Sequence, residues 1–84
     1  MIIKKDDVIE VKSFGNQNLL FEVRRVFDSG YKNYIGIEAS RLSKGKRRVK
    51  GEWISWGRDR FLFIDRDTGK EIAYGQTKNL GRLR

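Results

Sequence analysis

Short runs of alternating apolar residues, separated by glycine and asparagine, constrain the fold of this chain more than any other feature. Ile9 and Val11 alternate with charged residues, and Leu19, Phe21 and Val23 recur at every second position. This period of two places each set on one face of a β-strand. No long segment has the spacing of three to four residues that an amphipathic helix requires. The sequence therefore predicts an all-β fold.

The same pattern predicts an antiparallel meander of five or six strands, with turns at the glycine-containing segments. Two adjacent arginines at positions 24–25 interrupt the second strand and predict a bulge or a bend there. Residues 40–45 fit either a loop or a helical turn. Closing the meander into a barrel would remove its exposed strand edges. The predicted strands are residues 8–13, 19–27, 31–39, 49–56, 60–65 and 71–74.

A chain of 84 residues is long enough for one small domain with a modest core. We expect that domain to cover residues 1–75, because the strand pattern ends there. Residues 76–84 contain three basic residues and no alternation, which predicts a mobile basic tail. A core of this size leaves little room for a deep cofactor pocket, and we expect no cofactor.

The opening of the chain resembles SH3-like small β-barrels of the KOW and Tudor type. The residues that carry the resemblance are Asp7-Val8-Ile9-Glu10-Val11, Gly15 and the strand Phe21–Val26, within residues 6–27. The family's pattern has a glycine before the first aspartate, whereas this chain has Asp6. The resemblance implies an SH3-like barrel and assigns no functional residue.

The absence of His and Cys excludes several classes of function. Without Cys there is no disulfide framework, thiolate nucleophile or ordinary zinc site. Without His there is no imidazole base and no Ser-His-Asp arrangement. The sequence also has no apolar run long enough to span a bilayer and no signal-peptide pattern at its start. We therefore expect a non-catalytic cytoplasmic protein that does not bind membranes or metals.

Positive charge is concentrated in one part of the chain. The formal net charge is +8, yet residues 1–40 contain 6 basic and 6 acidic side chains. Residues 41–60 contain 8 basic and 2 acidic side chains, and residues 78–84 add three basic ones. Because the excess is local, it predicts a binding surface for a polyanion rather than a general aid to solubility.

The central basic segment has the chemistry of a nucleic-acid interface. Lysine and arginine neutralise phosphates, flanking glycines allow close approach, and tryptophan can stack on an unpaired base. Core packing is the alternative use of each tryptophan, and we expect it for Tyr31 and Tyr34. The predicted nucleic-acid-binding residues are Lys44, Lys46, Arg47, Arg48, Lys50, Trp53, Trp56, Arg58 and Arg60.

These residues predict a partner that is DNA or RNA. The alternative is an interaction or inhibitor module that docks its basic face on an acidic protein surface. The sequence does not distinguish DNA from RNA or single from double strands.

Two short motifs raise the possibility of an enzyme. Asp67-Thr68-Gly69 is the triplet of aspartic proteases, but Arg66 and Lys70 flank it, so we interpret it as a turn. Asp65, Asp67 and Glu71 could hold a magnesium ion, although the spacing is common beside turns. A His-free ribonuclease using Arg47, Arg48 and Ser55 rests on fold analogy alone.

Overall fold

The computed structural model describes residues 2–13, 15, 17–44 and 53–82, with the backbone alone at residues 43–44 and 53–59. It confirms the all-β meander. The described residues form five strands in one antiparallel sheet, in the order β4-β3-β2-β1-β5. The strands are β1 (Val8–Lys12), β2 (Asn18–Asp28), β3 (Tyr34–Lys44), β4 (Trp53–Asp65) and β5 (Thr77–Gly81).

The sheet is not closed into a barrel. In the described part of the chain, β4 and β5 are its two outer strands, and each has one ladder partner. The predicted closure of the meander into a barrel is therefore wrong for these residues. The resemblance to SH3-like barrels stays a prediction.

The hydrophobic core lies against one face of the sheet, which we call the inner face. The first four strands each contribute two or three residues that alternate as the period of two requires. Ile3 extends this cluster, and Tyr74 packs against it. The alternating core residues are Ile9 and Val11 of β1, Leu19, Phe21 and Val23 of β2, Ile35, Ile37 and Ala39 of β3, and Leu62 and Ile64 of β4.

The predicted bulge in β2 is confirmed at Arg24. Val23 pairs with Ala39 and Arg25 pairs with Glu38, so Arg24 is the extra residue. An extra residue shifts the side-chain alternation by one position. As a result Phe27, which unbroken alternation would place with Val23 on the inner face, lies on the opposite face.

β3 differs from the prediction at both ends. It begins at Tyr34, and Tyr31 and Asn33 belong to the preceding turn. Asn33 has a φ of 70°, which asparagine tolerates better than most residues and which a strand excludes. The strand then continues through residues 40–44, where the sequence fitted a loop or a helical turn.

The predicted fourth and fifth strands are one strand. β4 runs from Trp53 to Asp65, and the expected turn at residues 57–59 is a register shift opposite Ser40 and Arg41. The shift absorbs the glycine and the adjacent charged residues without reversing the chain. The first part of the predicted fourth strand, residues 49–52, lies outside the described residues.

The predicted returning strand at residues 71–74 is wrong. This segment forms bends, with isolated bridges that join Glu71 to Ile64 and Lys70 to Gln76. Glu71 is only 2% exposed, and its carboxylate accepts backbone hydrogen bonds from Phe63 (2.8 Å), Ala73 (2.7 Å) and Tyr74 (3.0 Å). These bonds hold the segment as a compact connection beside β4.

The predicted mobile tail is also corrected. Thr77–Gly81 forms β5, which pairs with β1 in an antiparallel ladder from Val11 opposite Thr77 to Val8 opposite Gly81. Backbone pairing needs no apolar alternation, so the polar sequence of this strand concealed it. The predicted domain boundary at residue 75 therefore falls inside the folded unit, and residues 83–84 lie outside the described residues.

Candidate nucleic-acid interface

The β3–β4 hairpin brings the predicted interface residues of two strands side by side. Its ladder places Lys44 opposite Trp53 and Arg41 opposite Trp56. The backbone register thus gathers basic and aromatic positions at one end of the sheet. Lys46, Arg47, Arg48 and Lys50 follow Lys44 in the sequence and lie outside the described residues.

Trp53, Trp56 and Arg58 are placed by their backbones alone. Both tryptophans precede the register shift of β4, and Arg58 lies within it, between Trp56 opposite Arg41 and Asp59 opposite Ser40. Base stacking and core packing, the two uses considered for each tryptophan, both stay predictions.

Arg60 is the one predicted interface residue whose side chain the structure describes. It is exposed, and its Nη1 donates a hydrogen bond of 3.2 Å to the hydroxyl of Tyr74. Tyr74 packs against the core, so this contact fixes Arg60 beside the connection between β4 and β5. The guanidinium has donors beyond this single bond.

A second feature, which the sequence prediction missed, lies on the outer face of β2, β3 and β4. Phe61, Phe27, Phe63 and Tyr31 form a continuous series of edge-to-face contacts, which we call the aromatic row. Their ring centroids are 5.9 Å apart for Phe27–Phe61, 6.3 Å for Phe27–Phe63 and 6.4 Å for Tyr31–Phe63. Phe61 is 59% exposed and Tyr31 68% exposed. Apolar rings at this exposure mark a surface that is available for contact.

Gly36 makes room for the centre of the aromatic row. A Cβ atom at this position would lie 2.4 Å from an atom of the Phe27 ring. Gly36 pairs with Phe27 on one side and with Phe63 on the other. The absence of a side chain therefore lets the Phe27 ring lie over β3 and reach the rings of β4.

Charged residues flank the aromatic row on β2. The guanidinium carbon of Arg25 lies 4.8 Å from the centroid of the Phe27 ring, in cation–π range. Arg25 Nε also donates to Glu38 Oε1 at 3.0 Å, and Arg24 lies 3.4 Å from Glu22. These two ion pairs leave this part of the outer face close to neutral.

Two docked turns position Tyr31 at the far end of the row. The Ser29 hydroxyl accepts a hydrogen bond from the Tyr31 backbone at 3.1 Å and lies 2.7 Å from the Tyr34 carbonyl oxygen, to which it donates. The Asn33 side chain donates to Asp65 (3.1 Å) and Asp67 (2.9 Å) in the turn after β4. The expectation that Tyr31 belongs to the core is wrong, because it lies in this exposed turn.

The Asp67-Thr68-Gly69 triplet forms a turn, as interpreted from its flanking cations. Asp65 Oδ1 accepts hydrogen bonds from the backbone N–H groups of Asp67 (2.8 Å) and Thr68 (3.0 Å). These donors, first that of Thr68 and then that of Asp67, lower the pKa of the Asp65 carboxyl below its ordinary value of 3.8. The carboxylate is thus engaged in holding the turn.

No metal-binding cluster is visible in the part of the chain that the structure describes: no three Asp or Glu side chains come together there. Within the same residues, no helix has the length and hydropathy that crossing a membrane requires.

The aromatic row did leave a signal in the sequence. Phe61 and Phe63 alternate with Leu62 and Ile64, so one pair had to face away from the core. The row could not be predicted from the sequence because the bulge at Arg24 decides on which face of the sheet Phe27 lies.

No protein-family model, curated protein or solved structure matches the chain.

Proposed function

We propose that this chain is a non-catalytic nucleic-acid-binding protein whose interface is the basic end of the β3–β4 hairpin. The observation that carries the proposal is the ladder that sets Arg41 and Lys44 opposite Trp56 and Trp53. Residues 41–60 carry a net charge of +6, out of +8 for the whole sequence. A local array of cations attracts phosphates and releases their counterions.

The described residues support this proposal through the positions that their strands give to the basic segment. Two antiparallel strands hold the ends of the basic segment together, and the exposed Arg60 side chain lies farther along β4. The location proposed for the protein is cytoplasmic.

A salt titration tests the proposal. The affinity of the wild type for labelled DNA and RNA should fall steeply with salt concentration. Replacing Lys46, Arg47 and Arg48 with alanine should weaken binding and reduce the slope of log K against log salt by about 2, because about 0.7–0.9 counterions are released per phosphate contact.

The matched control replaces Lys4, Lys5 and Lys32 with alanine. All three are exposed and belong to the neutral first half of the chain, so the net charge falls by the same amount. Equal losses in the two triple variants would show attraction by net charge without a local interface. Binding that is absent at low salt would overturn the proposal, and capture of an acidic protein partner would then favour the interaction module.

A further inference from the structure

We propose that the aromatic row is a stacking surface for unpaired bases, so that the ligand of this chain is single-stranded nucleic acid. This inference rests on the proposed function and adds the class of substrate. It concerns the outer face of β2, β3 and β4 rather than the basic end of the hairpin.

The first argument is exposure. Phe61 and Tyr31 end the row more than half exposed, while Phe27 and Phe63 between them are partly buried. Edge-to-face contacts hold the inner rings in place and stabilise the arrangement. The outer rings are therefore supported from one side and open to solvent, as a stacking partner requires.

The second argument is the division of charge. The ion pairs of Arg24 with Glu22 and of Arg25 with Glu38 leave the flank of the row close to neutral. A neutral surface attracts phosphates only weakly, whereas the uncharged faces of bases can stack on its rings. Phosphates are instead complemented by the basic segment, which runs through the same pair of strands; its residue Arg60 is adjacent to Phe61 in β4 and lies on the opposite face of the sheet.

The third argument concerns the alternative occupants. A second copy of the chain would also carry a net charge of +8, so two copies repel each other at low salt, whereas a polyanion is attracted. A duplex hides the faces of its bases inside the stack, so it cannot use exposed rings in this way.

The test compares the wild type with Phe61→Leu and with Ile72→Ala. The first change keeps an apolar side chain and removes the ring. The second is a matched control, because Ile72 is 62% exposed and takes no part in the row. Binding is measured by fluorescence anisotropy with a mixed-sequence single strand and its duplex, each as DNA and as RNA, and thermal unfolding checks that the variants fold.

We expect Phe61→Leu to weaken single-strand binding about tenfold and to leave duplex binding unchanged. Ile72→Ala should change neither. Tyr31→Leu should repeat the single-strand effect from the other end of the row.

Equal binding of single strands by the wild type and both ring variants would overturn this inference alone, if the basic triple variant still loses affinity. Equal losses for single strands and duplexes would overturn it too. A wild type that binds no oligonucleotide would overturn the inference and the proposed function together. A wild-type dimer in sedimentation that Phe61→Leu converts to a monomer would assign the row to self-association instead.

Discussion

The inner and outer faces of β2, β3 and β4 are built from the same strands, yet their apolar side chains differ in burial and in the contacts that hold them. The inner face excludes water from aliphatic side chains, as at Ile37 and Leu62. The outer face keeps its rings partly exposed and holds them by contacts with one another and with Arg25. The difference teaches that hydrophobic character does not by itself assign a residue to the core: its face of the strand does.

The adjacent residues Leu62 and Phe61 should give the largest contrast between the faces. Leu62 is 1% exposed, and replacing it with alanine should lower the free energy of unfolding by about 3 kcal/mol through lost burial and a cavity. Phe61→Ala should cost less than about 1 kcal/mol, because its ring is 59% exposed. Urea denaturation measures both. A Phe61 variant as unstable as the Leu62 variant would break the distinction.

Two glutamates extend the contrast to a buried carboxylate and a partly exposed one. Glu71 accepts three backbone hydrogen bonds while buried, so Glu71→Gln should cost about 2–3 kcal/mol, because a neutral amide accepts these bonds less well. Glu38 bonds Arg25 on the partly exposed outer face, and Glu38→Gln should cost less than about 1 kcal/mol. The same denaturation experiment tests the pair, and equal costs would contradict the assigned roles.

The smallest expected effect is a dependence of stability on acid at Asp65. Its pKa is lower in the folded protein than the ordinary 3.8, so its ionised form stabilises the fold above that pH. This contribution is lost as the pH falls from about 4 through the folded pKa. Asp65→Asn should reduce the drop in unfolding temperature between pH 5 and pH 3, and Asn33→Gly, which removes one donor, should reduce it by less. An unchanged acid profile in Asp65→Asn would refute this role of the turn.

The fold class, the bulge and most of the core were predictable from the sequence. Ile9, Val11, Phe21 and Val23 alternate clearly, and burial of one sheet face makes such a pattern specific. The charge pair at positions 24–25 marked the bulge, because charges seldom continue a core-facing register.

The missed parts depend on contacts between segments that are distant in sequence. β5 exists because backbone groups of residues 77–81 find partners on β1, and no pattern within those residues records it. The aromatic row needs the bulge of β2, the missing side chain of Gly36 and the register of β4 to coincide. The charge cluster at residues 41–60 was predictable as a sequence feature, but its alignment across two strands was not.

The pairing of β1 with both β2 and β5 also has a consequence for how the chain folds. Of the five described strands, β1 comes first in the chain and gains its second partner only when β5, the fifth, has formed. Bringing together two segments that are distant in the sequence costs loop-closure entropy before the hydrogen bonds of the ladder form. This cost slows folding. Until that ladder forms, one edge of β1 stays open to other chains. The short polar strand Thr77–Gly81 therefore covers the edge of β1 that β2 leaves open.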